Sequence, residues 1–278
     1  MTIHPSAVVD PSAELGVNVE VGPFSYIGPH CKVGDNSRIG PNAVLEEYVT
    51  LGRNCQVSPG AVLGGKPQDM AFKGEVSYVT VGDNARIREG VTIHRASGEN
   101  QTTSVGNDCM LMAYVHLGHN CKLGNGVIIA NNTQMAGYVE VDDYAFISGT
   151  CVFHQFVKIG KLAMIGGFSG SRQDIPPFAL VYGAPVSIYG INKVGLRRRG
   201  YDLNARTRLK KAYQLLFFSG MNTNQALAAI ADEFGTEDAA VNELVRFVQN
   251  SSRGICKAKA KKGQPQEVAD EPELAEML

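Results

Sequence analysis

The chain has 278 residues, 44% of them hydrophobic, and a formal net charge of −1, so it can bury a substantial core and is not intrinsically disordered. It contains no run of about 18 apolar residues, and its N-terminus lacks the basic and apolar regions of a signal peptide. These features predict a cytoplasmic protein without a transmembrane segment. Glycine is frequent, at 31 residues, and tryptophan is absent, which suits a fold with many tight turns around a narrow interior.

A six-residue repeat begins within the first ten residues and dominates more than half of the chain. One position of each hexapeptide is apolar, and it keeps its phase throughout, at Val9, Leu15, Val21, Ile27, Val33, Ile39, Leu45, Leu51, Val57, Leu63, Val81, Ile87, Ile93, Val105, Leu111, Leu117, Leu123, Ile129, Met135, Val141, Ile147, Phe153, Ile159 and Ile165. The apolar residue is missing only at Asp69, Glu75 and Glu99. The repeat predicts a mainly β protein, a parallel β-helix with three hexapeptides per coil and coils stacked about 4.8 Å apart.

The position four residues after each apolar residue is occupied by a small side chain. Five of the six cysteines fall there, at Cys31, Cys55, Cys109, Cys121 and Cys151. A cysteine at such a position is predicted to be a small buried residue and not part of a disulfide framework or a metal cluster. Glycine often follows the apolar residue, as in Val21-Gly22 and Ile27-Gly28, where a tight turn is expected.

Two interruptions of the repeat, residues 64–80 and 97–104, are predicted to be loops that leave the coil, and loops on a rigid scaffold often carry function. The repeat region is assigned to residues 1–187, with Asp174-Ile175-Pro176-Pro177 marking the end of its regular part. A helical domain is predicted over 188–256, with helices at 203–219, 223–234 and 236–253 and with Gly220 and Gly235 as helix stops. It is expected to cover the open edge of the last coil.

Basic residues are concentrated between Lys193 and Lys211, with a local excess of seven positive charges. This cluster could attract a phosphorylated or acidic partner, or it could be an ordinary solvated helix face. It lacks a nucleic-acid recognition motif, so no nucleic-acid partner is expected. Residues 257–278 are predicted to form a flexible tail.

The stacking of coils predicts which polar residues lie together. His119, Gly137 and Gln155 occupy the same position in three successive coils, so they should form a column on one outer face. Histidine is a natural general base at neutral pH, and a glycine one coil away could offer its backbone N–H to an oxyanion. The alternative is that the outward histidines are simply solvated.

Metal and nucleotide motifs give weak signals in this chain. His116 and His119 are close together on extended chain, so their side chains should diverge. A zinc site bridging subunits, as in β-helical carbonic anhydrases, stays open as an alternative. Gly64-Gly65-Lys66 is too short for a phosphate-binding loop. No metal and no cofactor are expected.

Several strings in the sequence are more specific than the generic hexapeptide. They are PQD at 67–69, RIREGVTIHR at 86–95, HLGHNC at 116–121, IIANNTQMAG at 128–137, FHQF at 153–156, IGGFSG at 165–170 and GLRRRGY at 195–201. In these strings the chain resembles the UDP-N-acetylglucosamine O-acyltransferases of lipid A biosynthesis over nearly its whole length. The resemblance implies a homotrimer of left-handed β-helices with active sites between subunits. It also implies transfer of an (R)-3-hydroxyacyl chain from acyl carrier protein to the 3-hydroxyl of the UDP-sugar.

The resemblance also implies a role for individual residues. His119 would be the general base, Gly137 would supply the oxyanion N–H, and Asp69 would hold the glucosamine hydroxyls. Further substrate contacts would come from His116, Tyr138, His154, Gln155, Gly167, Asn192, Arg198 and Arg199. Within this set Asn192, Arg198 and Arg199 would meet the nucleotide, and Gly167 would leave room for a long acyl chain.

Four positions depart from the family pattern. Asn120 follows the catalytic histidine where the family often has Asp, and Tyr138 replaces a substrate-contacting histidine. Ala71 replaces a lysine, with Lys73 nearby, and Val194 replaces a glutamate near the nucleotide. These departures leave open a 3-amino UDP-sugar as acceptor, with an amide as product.

Other functions remain as alternatives at the level of sequence. The N-acyltransferase of the same pathway carries a uridine-binding domain ahead of its β-helix, whereas the repeat here begins within the first ten residues. A coenzyme A-dependent hexapeptide acetyltransferase would differ in its donor. A non-catalytic β-helical scaffold would show no turnover at all.

Overall fold

The computed structural model describes residues 1–259, and over most of that length the chain runs in short straight sides joined by tight corners. Three sheets of eleven, nine and eight strands in this range form the three flat sides of a left-handed parallel β-helix, as predicted. Hydrogen-bonded strands are usually separated by three hexapeptides of sequence, as Glu20 and Arg38 are, which confirms three hexapeptides per coil.

Most strands contain only two residues, because each side of so narrow a coil is short; they are numbered in chain order. The eleven-stranded sheet contains β1 (Thr2–Ile3), β4 (Glu20–Val21), β7 (Arg38–Ile39), β10 (Gln56–Val57), β13 (Arg86–Ile87), β16 (Met110–Leu111), β19 (Ile128–Ile129), β22 (Phe146–Ile147), β25 (Met164–Ile165), β27 (Ala179–Tyr182) and β28 (Ser187–Ile191). The nine-stranded sheet contains β2 (Val8–Val9), β5 (Tyr26–Ile27), β8 (Val44–Leu45), β11 (Val62–Gly65), β14 (Thr92–His94), β17 (His116–Leu117), β20 (Gln134–Met135), β23 (Val152–Phe153) and β26 (Gly170–Ser171). The eight-stranded sheet contains β3 (Glu14–Leu15), β6 (Lys32–Val33), β9 (Val49–Leu51), β12 (Tyr78–Val81), β15 (Thr102–Val105), β18 (Lys122–Leu123), β21 (Glu140–Val141) and β24 (Lys158–Ile159).

The repeated apolar residues fill the inside of the coil. Ile27, Leu45 and Ile93 are fully buried, like most members of the repeat beyond the first coil. The six cysteines are unpaired and buried, which confirms the packing role predicted for five of them. Burial raises the pKa of Cys121 to about 12, so this thiol stays protonated, and it donates a hydrogen bond to the carbonyl of Ala136 at 3.2 Å.

The corners of the coil correct one interpretation of the sequence. The glycines that follow the apolar residues do not supply the left-handed turn, which falls two residues later, at φ +57° for both Phe24 and His30. Gly28 is needed for space instead: a Cβ there would lie 1.8 Å from the carbonyl oxygen of Glu46 in the next coil. The prediction of a tight turn was therefore right, and its placement at the glycine was wrong.

The two interruptions are shorter than predicted. Val49 pairs with Val79, so the coil that holds the first interruption is two hexapeptides longer than a regular coil. Tyr78 pairs with Thr102, so the coil that holds the second interruption is one hexapeptide longer. The segments outside the strands are residues 66–77, called here the first excursion, and 95–101, the second excursion. The coil resumes early because Tyr78 and Thr102 already pair with each other as strand residues.

The C-terminal part contains the three predicted helices and one that sequence reasoning missed. The helices are α1 (Lys193–Arg198), α2 (Leu203–Tyr213), α3 (Thr223–Phe234) and α4 (Ala239–Gln249), and a π-helical turn, Gln214–Phe218, follows α2. The helical part begins at Lys193 and not at 188, because β28 continues to Ile191 and pairs antiparallel with β27. Fully buried Tyr213 donates its hydroxyl to the carbonyl of Pro177, which fastens the cap to the end of the coil.

The last described residues pair with the sheet. The backbone N–H of Ile188 donates to the carbonyl of Lys257 at 2.9 Å, and Ala258 bridges the same strand. The predicted flexible tail is therefore wrong for 257–259, and its remainder, 260–278, lies outside the described residues. None of the helices in residues 1–259 is long and apolar enough to cross a membrane.

Candidate active site

The predicted column is present in three successive coils. The backbone N–H of Tyr138 donates to the carbonyl of His119 at 2.9 Å, and that of Phe156 donates to the carbonyl of Gly137 at 3.2 Å. A Cβ built on Gly137 would lie 2.5 Å from Nε2 of His119, so this ring nitrogen faces the bare glycine backbone. Within the described residues the N–H of Gly137 has no backbone acceptor. A nitrogen base and a free N–H donor are thus brought side by side.

His119 points outward from the coil but is only 6% exposed, and its ring lies between the backbone of Gly137 and the ring of Tyr138. Nδ1 of His119 lies 2.9 Å from Oδ1 of Asn120. Asn120 in turn bonds to Ser97 of the second excursion. The ring is therefore held from behind by an amide oxygen.

Asp69 of the first excursion lies in the same region, close enough for its charge to interact with His119. Its pKa is lowered by hydrogen bonds from the backbone N–H of Ala71, at 2.9 Å, and from the side chain of Ser97. The carboxylate is consequently ionised at neutral pH. The two excursions thus bring Asp69, Ser97 and His119 together.

His116 lies on β17 and is held by the neighbouring coil. Its Nδ1 is 2.7 Å from Oγ1 of Thr92, and its ring meets that of His94 edge to face at 5.0 Å. Burial lowers the pKa of His116 to about 4 and also lowers that of His94. Both rings are neutral at pH 7, so His116 can contact a substrate as a neutral hydrogen-bonding group.

The depressed pKa of His116 predicts a pH dependence of stability. The unfolded chain binds more protons than the folded chain between pH 6.5 and about 4, so the free energy of unfolding falls as the pH drops through this window. We expect denaturation midpoints of His116→Gln to depend less steeply on pH there than those of the parent. An unchanged slope in His116→Gln would contradict the assignment.

Tyr138 stands beside the base with a second aromatic ring. Its ring meets that of His119 edge to face at 5.2 Å and stacks on Phe156 at 4.7 Å, with 19° between the ring planes. Both Tyr138 and Phe156 remain exposed, at 36% and 47%. The two rings form an apolar wall on one side of the column.

An apolar groove runs beside the column. Its volume is about 670 Å³, and its lining includes Ala136, Val152, His154, Gly170 and Pro185. His154 is exposed, and its Nδ1 lies 3.3 Å from Nη2 of Arg253. Gln155 and Gly167 are exposed outside this lining, and a Cβ on Gly167 would meet only Gly149 O at 3.5 Å and Ser148 Cβ at 3.9 Å. His154 is therefore the one predicted contact that this groove includes.

A second cavity, of about 210 Å³, lies at the start of the helical part. Its lining includes Asn192, Val194, Arg198, Arg199 and Tyr144, so the three predicted nucleotide residues do come together. The guanidinium carbon of Arg199 lies 3.7 Å from the ring centre of Tyr144. The amide of Asn192 is already used within the chain: its Nδ2 donates to Leu162 O, and its Oδ1 accepts from Gly195 N. Asn192 therefore caps α1 and shapes this cavity.

The basic cluster is partly neutralised. Arg208 pairs with Asp238 and Lys211 pairs with Glu233, both between helices of the cap. Arg197 and Arg198 are exposed and form no ion pair within residues 1–259. The excess of seven positive charges counted in the sequence is thus an overestimate of the charge available to a partner.

Metal coordination finds no support in the described part of the chain, where no three His, Cys, Asp or Glu side chains converge.

The residues that sequence reasoning missed are His94 and Ser97. His94 could have been found by lengthening the coil that holds the second excursion by one hexapeptide, since His116 then pairs with Thr92. Ser97 lies in the second excursion outside the repeat, so no periodic signal in the sequence places it beside Asn120.

The repeat matches a known sequence profile in three stretches, of which the first two overlap. Residues 12–47, 30–65 and 102–137 match the profile described as bacterial transferase hexapeptide. The profile match and the β-helix of such coils together place the chain in the hexapeptide-repeat class of transferases.

The C-terminal part narrows this class. Residues 174–256 match the second domain of UDP-N-acetylglucosamine O-acyltransferase, and the acyl-[acyl-carrier-protein]–UDP-N-acetylglucosamine O-acyltransferase of Burkholderia orbicola is 45% identical over 257 residues, 91% of this chain and 98% of that protein. The chain belongs to the UDP-N-acetylglucosamine O-acyltransferase family.

Solved structures agree with this assignment. The UDP-N-acetylglucosamine acyltransferase of Bacteroides fragilis superposes with a TM-score of 0.90 at 40% identity, over 92% of this chain and all of that one. The enzyme of Campylobacter jejuni superposes with a TM-score of 0.86 at 36% identity, over 93% of this chain and all of that one.

Proposed function

We propose that this chain transfers an (R)-3-hydroxyacyl group from acyl carrier protein to the 3-hydroxyl of UDP-N-acetylglucosamine, the first step of lipid A biosynthesis. Membership of the family supports the reaction, since the Burkholderia orbicola relative is named for this donor and acceptor. The observation that carries the mechanism is the placement of His119 Nε2 against the backbone of Gly137.

In this mechanism His119 is the general base. Its Nε2 takes the proton from the 3-hydroxyl as the sugar oxygen attacks the thioester carbonyl carbon. The carbonyl oxygen becomes an oxyanion, and the free N–H of Gly137 stabilises it. The C–S bond then breaks, the carbonyl reforms, and the proton held by His119 passes to the departing thiolate of the carrier. No group outside the chain and its two substrates is needed to balance these steps.

The two excursions hold the acceptor sugar. Asp69 is ionised and lies in the neighbourhood of His119, so it can accept hydrogen bonds from glucosamine hydroxyls beside the base. His116, neutral at pH 7, lines the same side. The carboxylate fixes the orientation of the sugar, and this orientation delivers one hydroxyl to Nε2.

The nucleotide occupies the cavity at the start of the helical part. Arg198 and Arg199 supply positive charge for the phosphates, and Tyr144 gives an aromatic face beneath Arg199. Asn192 contributes mainly by capping α1, at whose C-terminal end both arginines lie. Val194 adds an apolar surface where the family has a glutamate.

The acyl chain lies along the outside of the last coils. The apolar groove next to Ala136 begins one residue from Gly137 and contains His154. Gln155 and Gly167 extend this surface, and the missing side chain at Gly167 leaves room for a long chain. The acidic carrier protein docks on the exposed Arg197 of α1, which lies outside the nucleotide cavity. The enzyme acts as a homotrimer in the cytoplasm.

The acceptor has one alternative, a 3-amino UDP-sugar that would give an amide. It is favoured by Tyr138, whose ring abuts His119 where the family has a polar histidine. Mass analysis of products from a mixture of acyl-carrier donors with both UDP-sugars tests the proposal. We expect a 3-O-acyl product from the hydroxyl sugar. Preference for the amine would reassign the acceptor, and transfer from coenzyme A alone or no transfer at all would contradict the proposed function.

A further inference from the structure

Asparagine recurs at the corners of the coils, and Asn120 differs from the others in its surroundings. Asn18, Asn36 and Asn84 have φ between +58° and +61°, and their side chains are exposed. The amide of Asn18 donates to that of Asn36 at 3.2 Å, a ladder on the solvent side. Asn120 shares the corner conformation, with φ +61°, but is only 5% exposed. The corner explains why asparagine is accepted at this position and does not explain why its amide is buried.

The second excursion fixes which way this amide faces. Oδ1 of Asn120 accepts from the backbone N–H of Ser97 at 2.9 Å, and Nδ2 donates to the carbonyl of Ser97 at 3.1 Å. A flipped amide would place donor against donor and acceptor against acceptor. The backbone N–H of Asn120 is also held, by Oγ1 of Thr103 at 2.8 Å. The position and orientation of the amide are therefore set without reference to His119.

This orientation decides the protonation of the neutral His119 ring. The atom that lies 2.9 Å from Nδ1 is Oδ1, which can only accept a hydrogen bond. Nδ1 must therefore carry the hydrogen, and Nε2 must carry the free lone pair. Nε2 is the nitrogen that faces Gly137.

We propose that Asn120 is a positioning residue that uses the backbone of Ser97 as a template to hold His119 in the Nδ1–H tautomer, ready to accept a proton at Nε2. The catalytic consequence rests on the proposed function, whereas the tautomer does not. Asparagine suits this task better than aspartate here, because only an amide can serve both the N–H and the carbonyl of Ser97. A carboxylate would place an oxygen against the Ser97 carbonyl.

The tautomer is measured directly by ¹⁵N NMR of the full-length protein labelled in histidine, with His119→Gln used to assign the His119 signals. We expect Nδ1 protonated and Nε2 unprotonated in the neutral ring of the parent, and a mixture of tautomers in Asn120→Ala. Asn36→Ala is the matched control, since it strains an equivalent corner far from the site. A parent ring protonated at Nε2, or one tautomer alone in Asn120→Ala, would overturn the proposal.

Kinetics provide the second readout. We expect kcat/KM to fall roughly 10- to 100-fold in Asn120→Ala, with little change in KM, since part of the general-base contribution is lost. In Asn120→Asp the new charge favours the protonated ring, so the acid limb of the pH profile should move up by about one unit. Asp69, His94 and Tyr138 also lie near His119. They are unchanged between the parent and Asn120→Asp, so they do not cause the difference between the two pH profiles.

The outcomes separate this inference from the proposed function. Absence of acyl transfer by the parent would contradict the function and leave the NMR result to decide the tautomer. Normal transfer by the parent, combined with unchanged kcat/KM in Asn120→Ala and an unmoved acid limb in Asn120→Asp, would overturn the positioning role alone.

Discussion

Replacing His119 by Ala is expected to lower kcat by about 10²- to 10⁴-fold, the range that a positioned general base contributes. The loss should appear in kcat more than in KM, because the proton is accepted only as the sugar oxygen attacks. Steady-state rates with a 3-hydroxyacyl carrier protein and UDP-N-acetylglucosamine measure the effect. The fold should persist, since the side chain points out of the coil and contributes nothing to its interior.

The matched control is His4→Ala, an exposed histidine in the first coil, which should retain the parent rate. Circular dichroism and size-exclusion chromatography of both variants establish that each is folded and assembled alike. Undiminished turnover in a folded His119→Ala protein would remove His119 from the role of base.

The second large effect is expected from Gly137→Ala. The new methyl carbon would lie 2.5 Å from Nε2 and 2.6 Å from Cε1 of His119, closer than such atoms can approach. The ring must move away, and a displacement of about 1 Å at a reacting group costs on the order of 100-fold in rate. We expect kcat/KM to fall by at least about that factor, with the substrate affinities less affected.

Gly60→Ala separates this clash from a general effect of removing a glycine. Gly60 has φ +71° and no atom within 4 Å of the position that a methyl carbon would take, so its substitution strains the backbone without touching the site. Its activity should match that of the parent, with a modest loss of stability. Full activity in Gly137→Ala would show that the ring does not need this space and would contradict the assigned geometry.

The repeat could be predicted because every coil imposes the same demand. An apolar residue must point inward on each side, so a residue such as Ile27 or Leu45 recurs in phase and is fully buried. The exact size of the interruptions could not be predicted, because the extra residues lie outside the coil and need not place an apolar residue inward at a fixed spacing. Tyr78 and Thr102 pair as strand residues although both fall in segments expected to be loops.

Some contacts of the candidate site could likewise be predicted from the repeat, and others could not. The column of His119 and Gly137 follows from the period alone, since residues one coil apart must stack. The partners of His119 do not, because Ser97 reaches Asn120 from the second excursion, a non-periodic loop. The tail shows the same limit: Lys257 is bonded to Ile188, a contact that composition could not reveal.

The six-residue pattern by itself determined the β-helix, the burial of the cysteines and the stacking of His119 on Gly137, because these depend only on residues that repeat at the coil spacing. The tertiary structure alone decided how the excursions bring Asp69 and Ser97 to the site, which amide atom meets the histidine, and where the helical cap begins. Those features depend on single contacts between segments far apart in the chain, and no periodicity encodes them.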